Sequence, residues 1–235
     1  MNLRIPICFC LATLLAAVSA QAQGTFQNLN FEQANIVPIV GNPNYPYAVS
    51  VADALPGWTV DYGNIQQTVI LYNDPLLGGE TTVTLYAKGY PGFVGPILDG
   101  NYSVLLQAGV VGGVPTSASI SQSGSIPSGT QSLLFEVGNG PLGPPEVLIG
   151  AQSVPLTPVG NGANYTIYGG NISAWAGQTE ELTLAGVSPT GGLITWDIDD
   201  ISFSTQMVPE PSPLVLTGLG AIAFALYRRF APKRP

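Results

Sequence analysis

Short runs of alternating apolar and polar residues recur between Gly24 and Thr205, separated by turn residues. In Thr82-Val83-Thr84-Leu85-Tyr86, Val83 and Leu85 fall on one side of an extended chain; in Ser119-Ile120-Ser121-Gln122, polar residues flank an inward Ile120. Eleven segments read as strands: 25–31, 57–62, 68–72, 82–87, 102–107, 118–123, 131–137, 146–149, 165–168, 181–184 and 193–203. Gly and Pro recur too often between them for a long helix. Eleven short strands without an internal repeat predict an all-β fold, a β-sandwich of jelly-roll type rather than a propeller or solenoid. The stretch 36–56, with Pro38, Pro43, Pro46 and Pro56, reads as one long loop, and 138–145 as a second. Trp58 alternates with Val60 and Trp196 with Ile198, as core residues do; Trp175 has no such partner. Ile198 and Ile201 have opposite strand parity, so a bulge at Asp199-Asp200 is needed for both to point inward.

The two ends have a different pattern. Residues 1–22 read as a secretory signal peptide: Arg4, then an apolar run over 5–18, then Ala20-Gln21-Ala22 as a cleavage site. The competing reading is an uncleaved anchor, which the short apolar run disfavours. At the other end, a Pro-rich linker (206–213) carrying Val208-Pro209-Glu210-Pro211 precedes an uncharged apolar run over 214–227. A basic tail (228–235) with Arg228 and Arg229 follows. Fourteen residues span about 21 Å as a helix, short of the roughly 30 Å of a bilayer core. The basic cluster favours a single transmembrane helix with that end cytoplasmic and the domain, residues 23–205, outside.

This three-part tail resembles the PEP-CTERM sorting signal of Gram-negative bacteria. The resemblance implies an exosortase as processing partner, with recognition at Val208, Pro209, Glu210 and Pro211 and membrane orientation by Arg228 and Arg229. It also implies an inner-membrane-anchored precursor and a product at the cell surface or in the extracellular matrix. A plain tail anchor with a proline-rich stalk is the alternative.

Composition narrows the chemistry. The 235 residues include no histidine, and both cysteines, Cys8 and Cys10, lie in the leader. Ser-His-Asp and Cys-His catalysis and His- or Cys-ligated zinc are therefore excluded from the mature protein, as are disulfides. Residues 23–208 hold thirteen acids and one base, Lys88, a formal −12 that argues against nucleic-acid binding. So many unpaired carboxylates must face water, accept hydrogen bonds or hold a metal.

Several segments resemble the galactose-binding-like jelly rolls, a group with many carbohydrate-binding modules: Leu29-Asn30-Phe31-Glu32, Leu55-Pro56-Gly57-Trp58, residues 99–106 (DGNYSVLL) and residues 198–203 (IDDISF). Lectin-like sandwiches are the alternative. The resemblance implies a structural calcium ion between the first and last strands, with Asn30, Glu32, Asp199 and Asp200 as matching ligands; otherwise the two aspartates are solvated and cap the final turn. Sugar binding needs an aromatic platform, for which Tyr45, Tyr47, Tyr72, Tyr86 and Tyr90 are candidates outside the expected core. The expected function is a non-catalytic module that holds polysaccharide. The alternatives are a self-associating matrix protein and a glycoside hydrolase using two of Glu136, Glu146, Glu180, Glu181 and Asp197.

Overall fold

A computed structural model describes residues 25–39, 47–74, 78–90, 97–140, 143–188 and 192–208. The signal peptide, Tyr45, Pro209–Pro211, the apolar run and the basic tail lie outside these residues. Among the described residues no helix is long and apolar enough to cross a membrane. The strands are β1 (Ala48–Ser50), β2 (Thr59–Tyr62), β3 (Ile65–Gln67), β4 (Val69–Tyr72), β5 (Thr82–Ala87), β6 (Tyr102–Val111), β7 (Val114–Thr116), β8 (Ala118–Ser125), β9 (Ser132–Gly138), β10 (Glu146–Ile149), β11 (Gln152–Ser153), β12 (Thr157–Asn161), β13 (Tyr165–Asn171), β14 (Thr179–Gly186) and β15 (Ile194–Ser204).

They form two sheets, so the expectation of an all-β sandwich holds. The larger runs β1-β4-β5-β6-β15-β9-β13-β12, with β7 beside β6; the smaller runs β11-β10-β14-β8-β2-β3. β4 and β5 run parallel, while the central pairs of the larger sheet are antiparallel. Period-two alternation sends one set of side chains inward from each sheet. Val83, Leu85, Val104, Leu106, Leu133, Phe135 and Val137 of the larger sheet meet Val60, Ile120, Leu182, Leu184, Val147 and Ile149 of the smaller in one core. Trp58 and Trp196 are buried in it as expected, and their indole N–H groups donate to the carbonyls of Asn28 and Gly143, both at 3.0 Å.

Three expectations fail locally. Residues 25–31 are not a strand. Thr25 makes a single parallel bridge to Ser125, and then Asn28 and Phe31 take left-handed backbone angles (φ 50° and 57°) that extended pairing does not allow. The stretch 36–56 is not one loop. It carries β1 and a one-turn helix, α1 (Val51–Ala54), capped by Ser50, whose hydroxyl accepts from the Asp53 amide at 3.1 Å. Tyr72 and Tyr86 do not lie outside the buried regions. Tyr72 packs against the core, and Tyr86 is 1% exposed on the opposite face of β5, where its hydroxyl donates to the Asp74 carbonyl.

The bulge in the last strand is present. Asp199 pairs with Glu136 and Ser202 with Leu134, so three steps along β15 match two along β9. Asp200 is the displaced residue, with φ 42°, and Ile198 and Ile201 both reach the core.

Candidate functional site

The amino-terminal segment lies over the seam between the two sheets. The Gln122 side chain of β8 replaces a strand partner for it: its Oε1 accepts from the Gln27 amide, and its Nε2 donates to the Gln27 carbonyl at 3.0 Å. On the other side, the Ile201 amide of β15 donates to the Leu29 carbonyl at 3.0 Å, and the Phe26 and Phe203 rings meet at 5.0 Å. The segment is thus fixed to both sheets. Beside it runs an open groove of about 470 Å³, lined by residues 26–30, Gln33, Asp200 and Ile201. That volume lies within the ~300–1,000 Å³ of small-molecule sites.

Four carboxamide side chains, Gln27, Asn28, Asn30 and Gln33, give this groove its chemistry. Asn28 is only 4% exposed. Its Oδ1 accepts from the Gln33 amide at 2.9 Å, so the other atom of the carboxamide is the NH₂ group. That Nδ2 is buried with no hydrogen-bond partner. Leaving such a donor unsatisfied costs about 1–3 kcal/mol, which most native sites avoid. Asp200, exposed on the bulge, supplies an acceptor-only carboxylate to the same groove. No lysine or arginine lines it.

The four residues matched to calcium divide between two places. Asn30 and Asp200 line the groove. Glu32 and Asp199 instead grip the turn that leads into β6. Glu32 Oε1 accepts from the amides of Asn101 (2.6 Å) and Tyr102 (2.9 Å), and Oε2 from Asn101 Nδ2 (2.8 Å). Gly100 makes that approach possible, because a Cβ there would lie 2.3 Å from Glu32 Oε1. Burial pushes the Glu32 carboxyl up, but these donors and the Lys88 charge outweigh it and hold the group below its usual range. Asp199 Oδ2 accepts from Ser103 Oγ at 2.7 Å and the Asp99 amide at 3.3 Å, and Oδ1 from the Asp200 amide at 2.8 Å. Among the described residues no three acidic side chains form a group that could hold a metal.

Asp199 belongs to a second feature. Ile198 and Val137 face the core, so the neighbouring Asp199 and Glu136, directly paired across β15 and β9, point to the other face together with Asp197. Asp199 and Glu136 are 2% and 6% exposed. Burial pushes the carboxyls of Asp197 and Asp199 up to about 7; the hydrogen bonds to Asp199 oppose the rise, and the Glu136 charge adds to it. Glu136 is raised too, first by burial and then by Asp200 and Asp99, against a hydrogen bond from Tyr165. Glu136 Oε2 and Asp197 Oδ1 are buried without partners. Three such carboxyls share one face, and none of them lines the groove. They do not line the smaller cleft of about 230 Å³ beside Tyr62, Leu71 and Thr82 either.

The tyrosine platform is only partly assembled. Tyr86 and Tyr90 stack at 6.2 Å, with Tyr86 beneath. Tyr47 is 55% exposed, and Tyr72 turns to the core side. Gln27, Asn28 and Gln33 were missed in the sequence. Their signal was a local run of carboxamides, Gln27-Asn28-Leu29-Asn30 and then Gln33, hidden within what read as a strand. Comparison with protein-family models, with curated proteins and with solved structures finds no match, so the chemistry of the groove stands on its own geometry.

Proposed function

We propose that this is an exported, exosortase-sorted protein of the cell surface or extracellular matrix, and that its β-sandwich, of jelly-roll type, is a non-catalytic polysaccharide-binding module. The observation that carries the binding half is the groove. It is open, built from carboxamides and one carboxylate, and free of bases. Sugar hydroxyls complement such a set because each both donates and accepts.

The sorting half is supported by the sequence that follows Val208. Val208 is 8% exposed and packs against Gly169, where a Cβ would lie 2.7 Å from its Cγ2. The Pro-Glu-Pro of the motif begins at the next residue, followed by the apolar run and the basic tail. The signal peptide supplies export, the apolar run a transient hold in the inner membrane, and the exosortase the cut.

Two experiments test the two halves. Deleting Pro209–Pro211, which spares Val208 and its packing, is expected to leave uncut precursor in the membrane; normal processing would refute sorting. The processed protein is expected to bind the host's own exopolysaccharide saturably, in calcium and again in chelator. Loss of binding in chelator would add a calcium site. Absence of binding in both conditions would refute the module and favour the self-associating matrix protein.

A further inference from the structure

We propose that Asn139 is a site of spontaneous covalent modification. Its side-chain amide is hydrolysed to a carboxylate through attack by the Gly140 backbone nitrogen, while Asn161, in the same local sequence, is protected by the fold. This is independent of the polysaccharide and sorting readings.

Asn-Gly occurs twice in the chain, each time in the tetrapeptide Val-Gly-Asn-Gly, at 137–140 and 159–162. A glycine after asparagine leaves the next backbone nitrogen uncrowded and free to approach the side chain. Both asparagines are exposed, and the Oδ1 of each lies 3.2 Å from the same hydroxyl, Thr166 Oγ1. Sequence, exposure and side-chain anchor are therefore matched, and the difference lies at the attacking nitrogen.

Gly162 closes the hairpin between β12 and β13. Its amide donates to the Tyr165 carbonyl at 2.9 Å. The Tyr165 ring lies against it, so close that a Cβ there would fall 2.2 Å from Tyr165 Cζ. Asn161 itself is paired with Thr166 in the ladder. Gly140 is exposed, two residues beyond the end of β9. Among the described residues its amide has no hydrogen-bond partner. Outside its chain neighbours, a Cβ at 140 would meet nothing nearer than the Gly138 carbonyl oxygen at 3.9 Å. The nitrogen that must attack is thus bonded and covered at one site and open at the other.

The step balances with water as its only co-reactant. The Gly140 nitrogen gives up its proton and forms a bond to Asn139 Cγ. The Cγ–Nδ2 bond breaks, and Nδ2 takes up a proton and leaves as ammonia. The cyclic imide that remains then adds one water. Opening at the Cγ–N bond gives aspartate at 139. Opening at the main-chain carbonyl gives isoaspartate, which adds a methylene to the chain between β9 and Gly143, whose carbonyl accepts from the Trp196 indole at 3.0 Å. Either product places a new carboxylate beside Thr166, in a domain whose one base is Lys88.

The test incubates the intact chain, in mild detergent, in warm and mildly alkaline buffer, folded and in guanidinium chloride. Peptide mass spectrometry follows conversion at both sites, and electron-transfer fragmentation separates aspartate from isoaspartate. In denaturant the two matched sites are expected to convert at about equal rates. In the folded chain Asn139 is expected to convert about tenfold or more faster than Asn161, a barrier difference of about 1.4 kcal/mol or more. Gly140→Ala, for which there is space, is expected to slow Asn139 by about tenfold with melting unchanged.

Equal conversion at the two sites of the folded chain, or faster conversion at Asn161, overturns the proposal. So does a folded chain in which Asn139 stays intact while the denatured chain converts it. An Asn139 rate unchanged in a Gly140→Ala protein with wild-type melting overturns it as well. If Gly140→Ala does not fold, the ratio between the two sites in folded wild type decides alone.

Discussion

Asp197 is a half-buried acid with one carboxyl oxygen fully enclosed, and Asp197→Asn isolates what that costs. Its carboxyl is pushed from 3.8 up to about 7 by burial, and its Oδ1 has no hydrogen-bond partner. Asn has the same shape, and Gly138 leaves the space beside it, since a Cβ there would already lie 3.1 Å from Asp197 Cβ. Between pH 4 and 7 the folded chain keeps a proton that the unfolded chain has released. Stability is therefore highest below the unfolded value near 3.8, falls as pH rises, and levels off above about 7. A rise of roughly three units is worth about 4 kcal/mol in full, of which about 2–3 kcal/mol is lost between pH 5 and pH 8. The neutral variant escapes this loss. With a urea slope of roughly 2 kcal/mol/M, its unfolding midpoint is expected to exceed wild type by about 2 M at pH 8 but by less than about 1 M at pH 5. The assay is tryptophan fluorescence of the purified protein in urea at both pH values. A midpoint difference that does not change with pH, or a less stable variant at pH 8, would refute the account of Asp197.

Three other variants probe the frame. Glu32→Ala removes three hydrogen bonds to the 101–102 turn and is expected to cost about 1–3 kcal/mol in thermal melts, with the loss fading as the Glu32 carboxyl protonates in acid. Gly109→Ala places a Cβ 2.3 Å from the Gly79 carbonyl oxygen, a backbone atom that cannot rotate away; about 1–3 kcal/mol of destabilisation is expected in urea unfolding. Gln122→Ala releases both bonds to Gln27, and amide hydrogen exchange is expected to show faster exchange at Gln27 while Ile120 and Leu184, buried in the core, keep their protection.

Most of the frame was legible because its signals are local. Strands 82–87 and 146–149 appear with the expected bounds, and the parity clash between Ile198 and Ile201 located the bulge. What could not be read is set by neighbours far along the chain. β1 has three residues and exists because Leu71, Ile70 and Val69 pair with it. Tyr86 was correctly turned away from Val83 and Leu85, but alternation tells only which face a side chain takes. The burial of that face depends on segments packed over it, including Asp74. α1 did carry a local signal, Ser50 three residues before Asp53, masked by the surrounding prolines. The candidate site was half legible: Asn30 and Asp200 were singled out for another chemistry. The burial of Asn28 could not be read, because it depends on the Gln33 amide and the Trp58 indole that close over it.

β15 has a mechanical consequence. It runs between β6 and β9 inside the larger sheet; Ile201 lies on the groove, and Val208, seven residues later, precedes the Pro-Glu-Pro of the sequence. In a protein held at its carboxyl end and pulled at its groove, the load enters only the end of this strand, Ile201–Ser204, which pairs with β9 and not with β6. The ladder bonds that join Ser202–Ser204 to β9 lie across the strand and resist such a pull together, in shear, rather than one at a time. The smaller sheet and the outer strands lie off that path, so tension between a tether and a matrix would leave most of the sandwich unstrained.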